Sequence, residues 1–199
     1  MSNQPDYFEW DEELPVLSGR GLRLRGIRLT DASPIFSIYS DPEVCRLLDG
    51  RPMTEPEQAT DYIKQVGQNF KTRLIFQWGI CDSKEDQLFG TCSLYYLNYK
   101  NRRGEIGITL ARSAWGQGLA SEALRVLIEF AFNVVNLHRI EADIDPENIP
   151  SLALFERMGF QREGLLRERW QLPGKVHDTV FLGLLRREWC PDRESAAEE

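Results

Sequence analysis

Residues 105–144, EIGITLARSAWGQGLASEALRVLIEFAFNVVNLHRIEADI, restrict the fold of this chain more than any other stretch. Leu119, Ala120, Ala123, Leu124, Leu127, Ile128, Ala131 and Phe132 recur at helical spacing, and Glu122, Arg125, Glu129 and Asn133 form one narrow polar stripe. A helix with so little polar surface must lie against a sheet. The β-prone run GEIGITL precedes it, and HRIEADI follows with Ile140, Ala142 and Ile144 on one face. The spacing therefore predicts strand, glycine loop, buried helix, strand.

The flanks extend this sheet. GLRLRGIRL alternates as a half-buried strand with a kink, carrying Leu22, Leu24, Ile27 and Leu29. TDASPIFSIYSD, PEVCRLL and EPEQATDYIKQVGQNF read as helices, and LIFQWGIC and LFGTCSLYYL as a hairpin around a polar DSKEDQ turn. After HRIEADI come a PENIP loop, a short helix SLALFERM closed by Gly159, and a long hairpin, FQREGLLRERWQL and KVHDTVFLGLL, about Pro173 and Gly174. The order predicts an α/β (α+β) domain with a mixed, mostly antiparallel sheet of about seven strands and helices on both faces. Residues 1–18 and 191–199 are acidic and read as tails around one domain at 19–190, although Tyr7, Phe8 and Trp10 are aromatics able to dock.

Charge and cysteines narrow the function classes. The net charge is −7 and the basic residues are interspersed with acidic ones, which argues against nucleic acid as a partner and suits a cationic one. Cys45, Cys81, Cys92 and Cys190 form no CxxC pair, so reduced thiols in a cytoplasmic protein are expected. The first residues are acidic where a secretion signal would be basic and then apolar, and no apolar run approaches the roughly 20 residues that span a bilayer, so no membrane partner is expected.

Three phosphate-binding chemistries compete for Gly116 and Gly118. A Walker loop needs Lys followed by Ser or Thr at a fixed offset, which is missing. A dinucleotide fingerprint needs a sixth-position Gly or Ala directly after a strand, but that position is Ser121 and five residues, ARSAW, separate Leu110 from the first glycine. The third option is a turn whose backbone N–H groups, with the positive end of the following helix, face a diphosphate. A plain glycine turn is the competing reading.

EIGITLARSAWGQGLASEAL, IEADIDPENIPSLALFERMGF and REGLLRERWQLPGKVHDTVFLGLL, in that order and spacing, resemble the GNAT acyltransferase superfamily and its RimJ/RimL-like branch; GLRLRGIRLTDASPIFSIYSDPEV is similar to that branch's opening strand and helix. The resemblance spans residues 20–189. It implies a GNAT fold splayed at mid-sheet, acetyl-CoA as co-substrate, a primary amine as acceptor and direct transfer in a ternary complex. The acceptors it implies are protein N-terminal amines, polyamines and small-molecule amines. A homodimer is left open, as is a non-catalytic CoA-binding sensor or interaction module.

Residue by residue, the resemblance carries the CoA seat onto Trp115, Gly116, Gln117, Gly118, Leu119 and Ala120. It carries pantetheine contacts onto the backbone of Ile108 and Leu110 and onto the amide of Asn148. Arg112 and Arg157 are the nearest cations able to offset the CoA phosphates. Phe155 stands where many members have a proton-donating tyrosine, so that role moves or vanishes; the resemblance carries a serine placed near the sulfur onto Ser151. Asn148 and Ser151 also suit a helix start on ordinary grounds. An α-amine titrates near ~8 and a lysine near ~10.4, so an N-terminal acceptor needs only a weak or remote base. Glu105 is the first candidate base and Glu168 the alternative, with surface glutamates the plain reading of both. His138 and His177 have no partner at metal-ligand or triad spacing; no metal is implied, and His177-Asp178 reads as hairpin architecture.

Overall fold

The computed structural model describes residues 8–46, 48, 51–172 and 175–191. Eight strands form one sheet: β1 (Leu17–Ser18), β2 (Leu22–Gly26), β3 (Ile75–Asp82), β4 (Leu88–Asn98), β5 (Arg103–Leu110), β6 (Arg139–Ile144), β7 (Gln161–Leu172) and β8 (Lys175–Leu185), in the spatial order β1-β2-β3-β4-β5-β6-β8-β7. The helices are α1 (Ala32–Ser40), α2 (Pro42–Cys45), α3 (Glu57–Lys71), α4 (Leu119–Asn133) and α5 (Ile149–Arg157).

The apolar stripe read from the sequence is α4. It fills one face of the sheet, with Ala123, Leu124, Leu127, Ile128, Ala131 and Phe132 buried against Leu22, Leu24, Phe76, Trp78, Ile106 and Ile140. Its polar stripe is internally paired, Arg125 bridging Glu122 at 2.6 Å and Glu129 at 2.8 Å, the i,i+3 and i,i+4 spacing at which helix side chains meet. On the opposite face α1 and α3 bury a second cluster, Ile35, Ile38, Ala59 and Ile63, against Cys81 and Leu88.

Every pairing is antiparallel except β5 with β6, and that one is short. Arg103, Gly104 and Glu105 pair with Arg139, Ile140 and Glu141, after which the strands part. β5 stays with β4 as far as Gly90↔Leu110, while β6 stays with β8 as far as Ile144↔Val180. Each strand keeps its outer partner, so a gap opens between Ile106–Leu110 and Ala142–Ile144. The backbone polar groups along its sides have no ladder partner across it.

Three expectations need correcting, and the strand count is completed. The opening strand ends at Gly26, and Leu29–Asp31 forms a 3-10 turn because Asp31 accepts from the Arg28 N–H (2.7 Å) and pairs with the buried Arg25 (2.8 Å). The PEVCRLL helix is only Pro42–Cys45, with Leu47 outside the described residues. The eighth strand is β1, two residues paired with Leu24 and Arg23. Residues 8–18 do not stand away from the domain: Trp10 stacks on Phe76 at 3.6 Å, its Nε1 donates to Tyr99 Oη (2.8 Å), and Trp78 Nε1 donates to the Pro15 carbonyl (2.9 Å). Tyr7 and residues 192–199 lie outside the described residues.

Candidate active site

Two cavities occupy the gap. The larger, about 510 Å³, is lined by Ile108 and Leu110 of β5, by Trp115, Gly116, Gln117, Gly118, Leu119 and Ala120, and by Asn148, Ser151 and Arg157. The smaller, about 200 Å³, is lined by Gln77, Thr91, Ser93 and Tyr95 on one side and by Asp143, Asp145, Phe155, Trp170, His177 and Asp178 on the other. They share Leu48, Ile108, Thr109, Asn148 and Ser151.

The loop before α4 is shaped by its own sequence. Gly116 and Gly118 have φ of 71° and 73°, the left-handed region that glycine enters without penalty. A Cβ at either would meet no protein atom within 4 Å, so both face open space. Trp115 donates from Nε1 to the Leu110 carbonyl (3.1 Å) and Gln117 from Nε2 to the Ser113 carbonyl (2.7 Å), which ties the loop back to the end of β5. The indole that begins the loop is thus a clasp. At the start of α4 the first N–H groups have no intrahelical acceptor and carry the positive end of the helix dipole. Trp115 to Ala120 line the larger cavity, with Arg157 the cation in the same lining. Arg112 is exposed and lines neither cavity.

Asn148 caps α5, its Oδ1 accepting from the Ser151 N–H at 3.2 Å. That bond uses the amide oxygen and leaves the Asn148 NH₂ and the Ser151 hydroxyl at the junction of the cavities. Phe155 is buried edge-on against Phe160 and lines the smaller cavity without a proton to give.

The smaller cavity is acidic. Asp143 accepts from Thr179 Oγ1, from Trp170 Nε1 (3.3 Å) and from Arg169 Nε (3.2 Å). Asp178 accepts from the Glu168 N–H (2.8 Å), and Asp145 faces His177 Nδ1 at 2.9 Å. The partner that sequence spacing does not show for His177 is therefore Asp145, brought near by the β6–β8 pairing. Glu168 lies in the register shift between Leu166 and Trp170 with φ of 51°, its side chain is exposed, and it lines neither cavity. A bulge re-aims the side chain it carries.

Glu105 also lies outside both linings, at the last β5–β6 pair, and is 5% exposed. Burial first, then the Asp143 and Glu141 carboxylates, push it up to about 7 from an ordinary value of 4.5. The folded chain thus holds a proton that the unfolded chain has released between those values, and stability falls as pH rises from about 4.5 to about 7. Glu105→Gln removes this loss. Discounted for screening, the variant gains about 1–2 kcal/mol on wild type between pH 5 and pH 8. Thermal melting of both at the two pH values checks it, and an unchanged gap counts against a raised Glu105.

With this geometry in place, comparison with known proteins identifies the scaffold. A family model for the GNAT acetyltransferase domain matches residues 21–161. The uncharacterized N-acetyltransferase p20 of Bacillus licheniformis is 38% identical over 169 residues, 85% of this chain and 95% of that protein. A GNAT-family acetyltransferase from Bacillus anthracis superposes with a TM-score of 0.79 at 22% identity, covering 87% of this chain and all of the other. Spermidine N-acetyltransferase from Vibrio cholerae, in complex with CoA and spermine, superposes with a TM-score of 0.74 at 22% identity, covering 84% and 97%. The chain thus belongs to the GNAT family of acetyltransferases.

Proposed function

We propose that the larger cavity seats acetyl-CoA, that the smaller one takes a compact cationic primary amine, and that the acetyl group passes directly between them at Asn148 and Ser151. The observation that carries this reading is the junction itself. One anion cradle and one acidic cavity meet at a shared polar edge.

The residues present fit acetyl-CoA. The backbone at Gly116 and Gly118 faces open space where a diphosphate can approach the N–H groups of Gln117 to Ala120. Arg157 supplies charge, and the free β5 edge at Ile108 and Leu110 and the Asn148 amide suit a pantetheine arm. When bound, acetyl-CoA would supply an activated acetyl group; its transfer forms the amide C–N bond, breaks the thioester C–S bond with the electron pair left on sulfur, and releases one N–H proton of the neutral amine, which balances the thiolate as a thiol. Ser151 Oγ holds a proton at the junction. Glu105 acts electrostatically, sharing the field of Asp143, and Glu168 acts through its backbone, pinning Asp178.

The acceptor reading rests on size and charge. About 200 Å³ is less than most drug-sized sites offer, and Asp143, Asp145 and Asp178 line it. That suits a small polycation better than a protein terminus with one charge and several amide groups. The Vibrio spermidine acetyltransferase, with the same fold, is consistent with such an acceptor.

Thiol release from acetyl-CoA with spermidine, short diamines and a peptide bearing a free N-terminus tests this. Spermidine and diamines turn over fastest, and Ser151→Ala lowers kcat more than it weakens CoA binding. A faster peptide overturns the acceptor assignment. Tight CoA binding without turnover on any amine returns the non-catalytic reading.

A further inference from the structure

The acceptor amine arrives at neutral pH as an ammonium ion, and its lone pair is needed for attack. The cavity that receives it holds one group built to take that proton. His177 lines the smaller cavity, and Asp145, also in the lining, lies 2.9 Å from its Nδ1. A carboxylate only accepts, so Nδ1 carries the hydrogen, and in the neutral ring Nε2 is the nitrogen that presents a lone pair. Among the described residues Nε2 has no hydrogen-bond partner. The side chains of His177 and Asp145 are 15% and 24% exposed, enough shielding to fix the ring and enough access to meet a ligand.

Resting on the N-acetyltransferase reading above, we infer that His177, oriented by Asp145, is the general base that takes the first proton from the acceptor ammonium. An N–H bond of the ammonium breaks, an N–H bond forms at Nε2, and the positive charge moves from the substrate to an imidazolium facing Asp145. The amine keeps the electron pair of the broken bond as its nucleophilic lone pair, and the imidazolium later gives its proton to water. The arrangement is that of a base held by a second residue, in which the carboxylate sets the tautomer and stabilises the charged ring.

Position favours His177 over Glu105: Glu105 is outside both linings, whereas His177 lines the cavity that also holds Ser151. The charged groups that share the cavity with the ring are Asp145 just after β6, Asp143 in β6 and Asp178 on its own strand, with Arg169 of β7 paired to Asp143.

The test compares wild type and His177→Gln with spermidine and with trifluoroethylamine, a primary amine that is uncharged at neutral pH and needs no proton removed before it attacks. For spermidine, kcat at pH 7 falls about 10²–10³-fold, and the acid limb of kcat/KM disappears. For trifluoroethylamine the variant stays within about threefold of wild type, and KM for acetyl-CoA is unchanged for either amine. An unchanged spermidine rate and pH profile, or an equal loss on both amines, overturns the proposal while leaving the acetyltransferase reading intact. No turnover by wild type on any amine overturns both. Should His177→Gln fail to bind acetyl-CoA, Asp145→Asn decides, because it keeps the imidazole and removes its orienting partner. The expected result is about a tenfold loss in kcat confined to ammonium acceptors; a rise in KM with kcat kept, which loss of the carboxylate's charge alone would give, or an equal loss on both amines overturns the proposal there too.

Discussion

Trp10→Ala lowers the stability of the domain by about 3 kcal/mol, which for a chain of this size is a fall of about 6–12 °C in Tm. The indole stacks on Phe76 at 3.6 Å, meets Phe130 edge-on at 5.9 Å and donates to Tyr99 Oη at 2.8 Å. Removing it strips cover from the layer in which α4 packs on β3 and leaves a void that the surrounding side chains fill only in part. Trp10→Phe separates the two contributions: it keeps the ring stack, loses the hydrogen bond and costs about 1 kcal/mol. Trp10 lines neither cavity, so both variants keep wild-type KM for acetyl-CoA below their melting range. Denaturant unfolding measures the effect. A loss below about 1 kcal/mol for Trp10→Ala means that the segment before β1 does not hold the core in solution.

The way this segment enters the fold explains why it reads poorly from sequence. α4 is legible because its periodicity runs over fifteen residues and every apolar position repeats the same demand for a partner. β1 has two residues and no period, and the contacts of Trp10 with Phe76 and of Pro15 with Trp78 join positions more than sixty residues apart. Local composition there is acidic, and only the clustered aromatics mark it as something that docks.

The candidate site divides along the same line. The cradle from Trp115 to Ala120 is legible because its geometry is local: two glycines set the backbone, and the helix that follows sets the direction of the N–H groups. Even the clasp by Trp115 spans only five residues, although nothing in the sequence says where the indole N–H points. The acceptor side is assembled by register. Asp143 lies opposite Phe181 and Ile144 opposite Val180, and that pairing carries Asp145 up to His177, thirty-two positions along the chain. Sequence spacing shows His177 next to Asp178 and hides the carboxylate that it meets. Glu168 is the converse case, well placed by position and turned out by a register shift that no residue type signals.

The sharpest demand on the cradle is at Gly118, where Gly118→Val raises KM for acetyl-CoA about 100-fold. At φ of 73° a β-branched residue is strained by about 1–3 kcal/mol, so the loop relaxes and its N–H groups lose their common direction. The added side chain also occupies the open space over the backbone, where the diphosphate is expected to lie. A 100-fold change corresponds to about 2.7 kcal/mol, within what strain and lost anion contacts supply together. Gly21→Val is the control that separates them. Gly21 has the same φ of 73° and the same open surroundings, but it lies in the turn between β1 and β2 and lines neither cavity. It carries a comparable stability cost and leaves KM for acetyl-CoA unchanged, whereas Gly118→Val pays in affinity. Equal KM values for the two variants would place the diphosphate away from this loop, because two glycines of one conformation differ here only in what their open side faces.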